Sequence, residues 1–138
     1  MKMTLWIAQG VLALAFLAAG AMKLAMPIAD LHDSLAWTAD VPTALVRLIG
    51  LAEVLGALGL VLPAATRIQP RLTVLAAGAL ALDMAVATLF HLVRGEASAA
   101  PATLILGAGL AFVAWGRAVR LPIAPRAVAT GTPSRAAA

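Results

Sequence analysis

The chain has 138 residues, of which 63% are hydrophobic and only 12% charged, with a mean hydropathy of +1.00. A water-soluble domain carries about 25% charged residues, so too little polar surface is available to coat a globule and an ordinary soluble domain is excluded. The net charge of +4 does not mark a nucleic-acid binder, because the basic residues sit at the ends of apolar runs; the lack of cysteine excludes disulfides, a Cys-x-x-Cys redox centre and covalently attached haem.

Four apolar runs approach the roughly 20 helical residues needed to cross a hydrocarbon core. The first covers about residues 5–22 and is closed by Lys23. With Lys2 before it and Ala19-Gly20-Ala21 near its end, it has a second reading as a cleavable signal peptide. The stretch from Leu24 to Pro42 mixes apolar Ile28, Leu31, Leu35 and Trp37 with polar Asp30, His32, Asp33 and Ser34. That pattern suits a short amphipathic helix in the membrane interface, with Trp37 at headgroup level, or a partly ordered connector. The second run covers about 43–62, bounded by Pro42 and Pro63, and the third about 72–93, between Arg71 and Arg94. The fourth covers about 102–116, with Pro101 in its first turn and Gly116-Arg117 as its stop. Residues 121–138 are rich in Pro, Ala, Arg, Ser and Thr and read as a disordered basic tail. The fold class expected is therefore an all-α membrane protein, a four-helix transmembrane bundle over residues 1–120.

Charge distribution predicts the orientation. With four spans, the side holding both termini carries Lys2, Arg67, Arg71, Arg117, Arg120, Arg126 and Arg135; the other carries Lys23, Arg47 and Arg94, diluted by Asp30, Asp33, Asp40 and Glu96. The positive-inside rule then places both termini in the cytoplasm. Small residues at Gly107-x-x-x-Ala111 would permit homo-oligomerisation.

Polar residues within the spans are the functional clues, since an acid or base at a span centre costs about 2.5–3.5 kcal/mol on insertion scales. Glu53 and Asp83 lie near the middle of the second and third spans, too deep to snorkel. Each must be protonated, paired or facing a hydrated cavity. Arg47, Gly50 and Glu53 share a helical face, as do Asp83, Ala87 and His91, and as do Gln9, Ala13, Phe16, Gly20 and Lys23. At about 1.5 Å per residue, Glu53 lies roughly 9 Å below Arg47 and Asp83 roughly 12 Å below His91. The expectation is a polar crevice with cations at its mouth and carboxyls at its floor. Glu53, Asp83 and His91 are the candidate catalytic residues; Lys23, Arg47, Gln9 and Thr88 are the candidate substrate-binding ones. No metal centre is expected, with His91 as the candidate ligand should a haem bind. Each residue also has a structural reading. Lys23 and Arg94 would snorkel, Arg47 and Glu53 would form a register-fixing ion pair, His91 would bond a carbonyl, and Gln9 and Thr88 would be ordinary helix hydrogen-bonding groups. Asp83 has no local partner.

The motifs Ala19-Gly20-Ala21-Met22-Lys23, Arg47-Leu48-Ile49-Gly50-Leu51-Ala52-Glu53-Val54-Leu55-Gly56, Leu62-Pro63 and His91-Leu92-Val93-Arg94-Gly95-Glu96, in this order, resemble the DoxX-like family of small four-helix membrane proteins. The resemblance extends over about residues 5–120. It implies a four-helix bundle in the bacterial inner membrane, and relatives linked to quinone-coupled thiosulfate oxidation or to oxidative-stress complexes. An apolar residue is expected by the resemblance where Asp83 stands; that departure puts a generic family role in doubt and could mark a specialised site. The function expected on these grounds is an accessory or quinone- or lipid-binding subunit of a membrane oxidoreductase. The alternative is a membrane enzyme, an isomerase, cyclase or hydrolase, using Asp83 or Glu53 as acid and His91 as base on a small hydrophobic substrate, with or without haem. A proton-coupled transporter is the weaker alternative, because a lone four-helix chain leaves little room for alternating access.

Overall fold

Long apolar runs in a membrane satisfy their backbone groups internally, which makes helices the only open-ended solution. The computed structural model, which describes residues 1–126, is built this way. Helix α1 spans Lys2–Ala25, α2 Ile28–Ser34, α3 Thr43–Thr66, α4 Arg71–Val93 and α5 Ala100–Trp115. A short 3-10 turn, Ala36–Asp40, links α2 to α3, and a wide π turn, Gly116–Arg120, extends α5. Among the described residues there is no strand. Four helices, of 24, 24, 23 and 21 residues with the π turn counted into the last, are long and apolar enough to cross a membrane. The N-terminus, the α3–α4 loop and the π turn share one end of the bundle. Segment α2, the 3-10 turn and the α4–α5 loop share the other, called the lid end below.

The helices overrun the apolar segments, because interfacial backbone groups are still best satisfied within the helix. Pro63 does not end the second span. It lies inside α3, which continues to Thr66. A proline removes one intrahelical hydrogen bond, and here it does so less than one turn from the end, where the loss is small. Thr66 Oγ1 then donates to the Leu62 carbonyl at 2.7 Å, and Arg67 leaves the helix in the left-handed region with φ 58°. The fourth span likewise runs past Gly116-Arg117. A side chain at Gly116 would meet Leu5 of α1 at 2.5 Å, so only glycine lets α5 stay against α1 here.

Packing is strongest within two pairs, α1 on α3 and α4 on α5, and looser along the α3–α4 and α1–α5 seams. The core between them includes Leu12, Phe16, Leu60, Leu80, Leu110 and Val113. Outward faces carry exposed apolar side chains such as Leu14, Leu55, Leu82 and Ile105, a surface suited to lipid and not to water. Gly107 turns toward α4, where an added Cβ would lie 3.3 Å from that of Met84, while Ala111 is exposed. Half of the small-residue face expected to serve self-association is therefore used inside the chain.

The closest helix approach is between α1 and α3. A Cβ on Gly20 would lie 2.6 Å from the Gly50 carbonyl oxygen, and one on Gly50 would lie 2.8 Å from Lys23 Cβ. Small residues at such a crossing let two backbones come together. Three residues beyond each glycine, on the same helical face, stand Lys23 and Glu53. The crossing thus sets a cation opposite a carboxylate.

Candidate functional site

The Lys23 ammonium donates to both oxygens of Glu53, at 2.7 and 2.9 Å. Both residues are buried, with 7% and 3% of their surface exposed. This corrects two expectations. Glu53 is not the partner of Arg47, because six residues along α3 hold the two groups at different depths, whereas Lys23 meets Glu53 directly at the glycine crossing. Lys23 does not snorkel and is no cation at the mouth; it sits on the floor. Arg47 instead donates to the carbonyl oxygens of Lys23 and, at 2.8 Å, of Met26. It thereby satisfies acceptors left open at the end of α1, where a cation also complements the helix dipole.

The pair forms one wall of a cavity of about 240 Å³, which Asp83, His91, Trp37 and Thr103 also line. Asp83 Oδ2 is buried with no hydrogen-bond partner. Lys23 attracts the Asp83 carboxylate, and Asp83 in turn repels that of Glu53. One cation thus faces two carboxyl groups, leaving the cluster short of one positive charge or one hydrogen-bond donor. A buried polar atom of this kind is costly as a charged, unpartnered group and calls for a proton or a hydrogen-bond donor. Thr88 is also nearby: its Oγ1 lies 2.7 Å from the Met84 carbonyl oxygen and 2.7 Å from Thr103 Oγ1.

The lid end closes over this cavity. Trp37 of the 3-10 turn has a tertiary partner. Its ring packs edge-on against Phe90, with centroids 6.3 Å apart, and faces the cavity. His91 Nδ1 is 2.6 Å from Glu96 Oε2, while Arg94 donates to Glu96 Oε1 at 2.9 and 3.0 Å and pairs with Asp40 of the 3-10 turn. These contacts tie the lid to the start of the α4–α5 loop.

Hydrogen bonds from Arg94 and then His91 hold the Glu96 carboxyl below its ordinary value of 4.5. With the folded value depressed, its contribution to the closed lid is complete above about pH 4.5 and is lost as the pH falls through the lower folded value. We expect Trp37 fluorescence in the full chain to show an acid transition below pH 4.5 that Glu96→Gln removes. Identical acid profiles for the two proteins would refute the assignment.

Gln9 is not part of this cluster. It shares the buried face of α1 with Lys23 but lies fourteen residues away, roughly 21 Å along the helix. Its Nε2 donates to the Leu60 carbonyl at 2.6 Å, and its Oε1 accepts from Arg117 Nε at 2.6 Å. Arg117, expected to mark a solvent-facing stop, is buried and stacks over Trp6 at 4.9 Å. The signal that would have identified it is Gln9 itself, a polar side chain in an apolar helix that needs a partner.

An apolar groove of about 540 Å³ runs along the α3–α4 seam between Leu48, Leu55, Pro63 and Leu72. It shares Ile49 and Asp83 with the polar cavity. Ile49 and Asp83 thus stand between the lipid-facing groove and the cavity that holds the Lys23–Glu53 pair. The cavity of about 240 Å³ is smaller than the roughly 300–1,000 Å³ of ordinary small-molecule sites, which leaves a haem macrocycle little room beside His91.

Fold and site together define a multi-pass, four-helix membrane protein with a polar cavity inside its bundle. A family model described as the DoxX-like family matches residues 7–113. The chain belongs to the DoxX-like family. No curated protein and no solved structure matches it.

Proposed function

We propose that this protein binds the polar ring of a quinone- or quinol-like lipid, admitted from the bilayer between α3 and α4, as an accessory subunit of a membrane oxidoreductase. The observation that carries this reading is that the apolar groove and the polar cavity adjoin, with Ile49 and Asp83 lining both. An isoprenoid-like tail suits the groove. A ring hydroxyl donating to Asp83 Oδ2 supplies the missing partner, and the Lys23–Glu53 pair adds a donor and an acceptor for a second ring oxygen. The chain has no cysteine and no tyrosine, so electrons exchanged with such a ligand come from a bound cofactor or a partner protein. The concentration of arginine at the terminal end supports both termini lying in the cytoplasm, with the lid facing outward, in a bacterial inner membrane.

The test is titration of the full chain, in detergent or nanodiscs, with a short-tailed quinol, followed through Trp37 fluorescence. Asp83→Leu should weaken binding about 10- to 100-fold, the equivalent of a buried hydrogen bond to a charged group worth roughly 1.5–3 kcal/mol. Unchanged affinity in that variant would sink the proposal.

The convergence of Glu53, Asp83 and Lys23 on one cavity also favours a second reading, an enzyme moving protons on a small hydrophobic substrate. Turnover by the isolated chain, abolished by Asp83→Asn and Glu53→Gln, would select that reading over the accessory role.

A further inference from the structure

At the opposite end of the bundle lies a larger cavity, of about 820 Å³, bounded by the start of α4, the π turn and residues 122–125. Two of its wall residues are arginines, Arg71 and Arg117; Val74, Leu75 and Ile123 give it an apolar side. Arg117 is 94% buried, being 6% exposed. An arginine has five N–H donors. Here Nε is used by Gln9, one face of the guanidinium covers Trp6, and Nη2 is buried with no hydrogen-bond partner.

Nothing acidic is at hand to meet this demand. The chain has six acidic side chains. Asp30, Asp33, Asp40 and Glu96 lie at the lid end, and Glu53 and Asp83 line the cavity described above. Among the described residues no ion pair involves Arg67, Arg71, Arg117, Arg120 or Arg126. A surface arginine needs no counterion because water serves it. A guanidinium buried in the bundle does need one, because an uncompensated buried charge is expensive.

The backbone around the cavity is shaped by specific contacts. Arg67 and Gln69 both take left-handed conformations, with φ of 58° and 49°. The Arg126 amide then donates to the Arg67 carbonyl at 2.9 Å, drawing residues 121–126 back across the α3–α4 loop. This end thus carries a pocket with two arginines and several apolar residues in its wall, beside the ends of the apolar helices.

We propose that this pocket binds the phosphate of an anionic glycerophospholipid. Arg117 and Arg71 donate to the phosphate oxygens, and Val74, Leu75 and Ile123 contact the first part of an acyl chain. Guanidinium forks match phosphate oxygens in geometry as well as charge, and basic pockets between membrane helices are recognised headgroup sites. The site is independent of the lid-end cavity, which lies at the other end of the helices. Its role is to hold one lipid against the α4–α5 pair while completing the charge balance of Arg117.

The full-length protein in a non-ionic detergent provides the test, with thermal unfolding followed during titration by phosphatidylglycerol, phosphatidylcholine or inorganic phosphate. Phosphatidylglycerol should raise the unfolding temperature at concentrations where the other two do not. Arg71→Gln, at an exposed position whose loss leaves the fold intact, should weaken that effect about fivefold, the equivalent of roughly 1 kcal/mol per basic residue near a membrane surface. Arg117→Gln should weaken it at least as much. Equal stabilisation by phosphatidylcholine would overturn selectivity for a net anionic headgroup. Equal stabilisation by inorganic phosphate would overturn the lipid assignment. An unaltered phosphatidylglycerol response in Arg71→Gln would overturn the site.

Discussion

Replacing Lys23 by methionine is expected to destabilise the bundle by about 3–5 kcal/mol, the usual cost of leaving one member of a buried ion pair without its partner. The reason lies in what surrounds Glu53. Among the described residues its two oxygens receive hydrogen bonds only from Lys23, and the carboxyl of Asp83 repels it across the same cavity. Removing the ammonium leaves two acids facing one another with no cation among them. Unfolding of the full chain by SDS in mixed micelles, with helicity as the readout, measures the loss. The double variant Lys23→Met with Glu53→Leu should recover most of it, because replacing a whole buried pair by apolar side chains is often neutral or favourable by roughly 1–4 kcal/mol. The same double variant should lose the short-tailed quinol. Recovery of stability without recovery of binding would mean that the pair is kept for its ligand. A cost below about 1 kcal/mol for the single variant, the range of exposed pairs, would instead show Lys23 reaching water with Glu53 satisfied elsewhere.

The four spans were legible from hydropathy because each is a run close to the length a bilayer demands. Their ends were less legible. Pro63 and Gly116-Arg117 are strong stop signals in isolation, yet one falls in a last turn that tolerates it, while at the other the α-helix ends at Trp115 and the chain widens into the π turn. Helical spacing also placed Asp83 and His91 on a common face, and both line the lid-end cavity. Spacing could not choose the partner of Glu53. Arg47 is on its own helix and so was visible, whereas Lys23 becomes a neighbour only through the crossing point of α1 and α3. The clue was nonetheless present, since each member of the pair follows a glycine at an interval of three, Gly20 to Lys23 and Gly50 to Glu53.

The partners of Trp37 and Arg117 were hidden for a shared reason. Tryptophan and arginine beside an apolar run ordinarily anchor a helix in the interface, and spacing along one helix names no tertiary partner for them. Phe90 is that partner for Trp37, and Gln9 with Trp6 for Arg117. In both cases the partner sits on a helix distant in sequence. Polar residues within a span are thus better read as halves of pairs, each calling for its complement at the same depth.

The glycine crossing itself yields the other large effect. Gly20→Ala is expected to cost about 1–3 kcal/mol, the range for inserting a methyl into a closely packed contact. The new Cβ would fall 2.6 Å from a backbone oxygen, which cannot rotate aside as a side chain can. Relief requires α1 and α3 to separate, and separation draws the Lys23 ammonium away from Glu53. Gly20→Ala should therefore weaken quinol binding as well as stability, although the substitution touches no ligand. Gly50→Ala should behave alike, since its Cβ would meet Lys23 Cβ at 2.8 Å. Gly78→Ala on α4 is the control. An added Cβ there has nothing within 4 Å, and alanine exceeds glycine in helix propensity by about 1 kcal/mol, so that variant should be neutral or more stable. SDS unfolding of the three variants decides the matter. Should Gly20→Ala prove as stable as Gly78→Ala, the close approach is not what brings Lys23 to Glu53, and the site must be held by its lid instead.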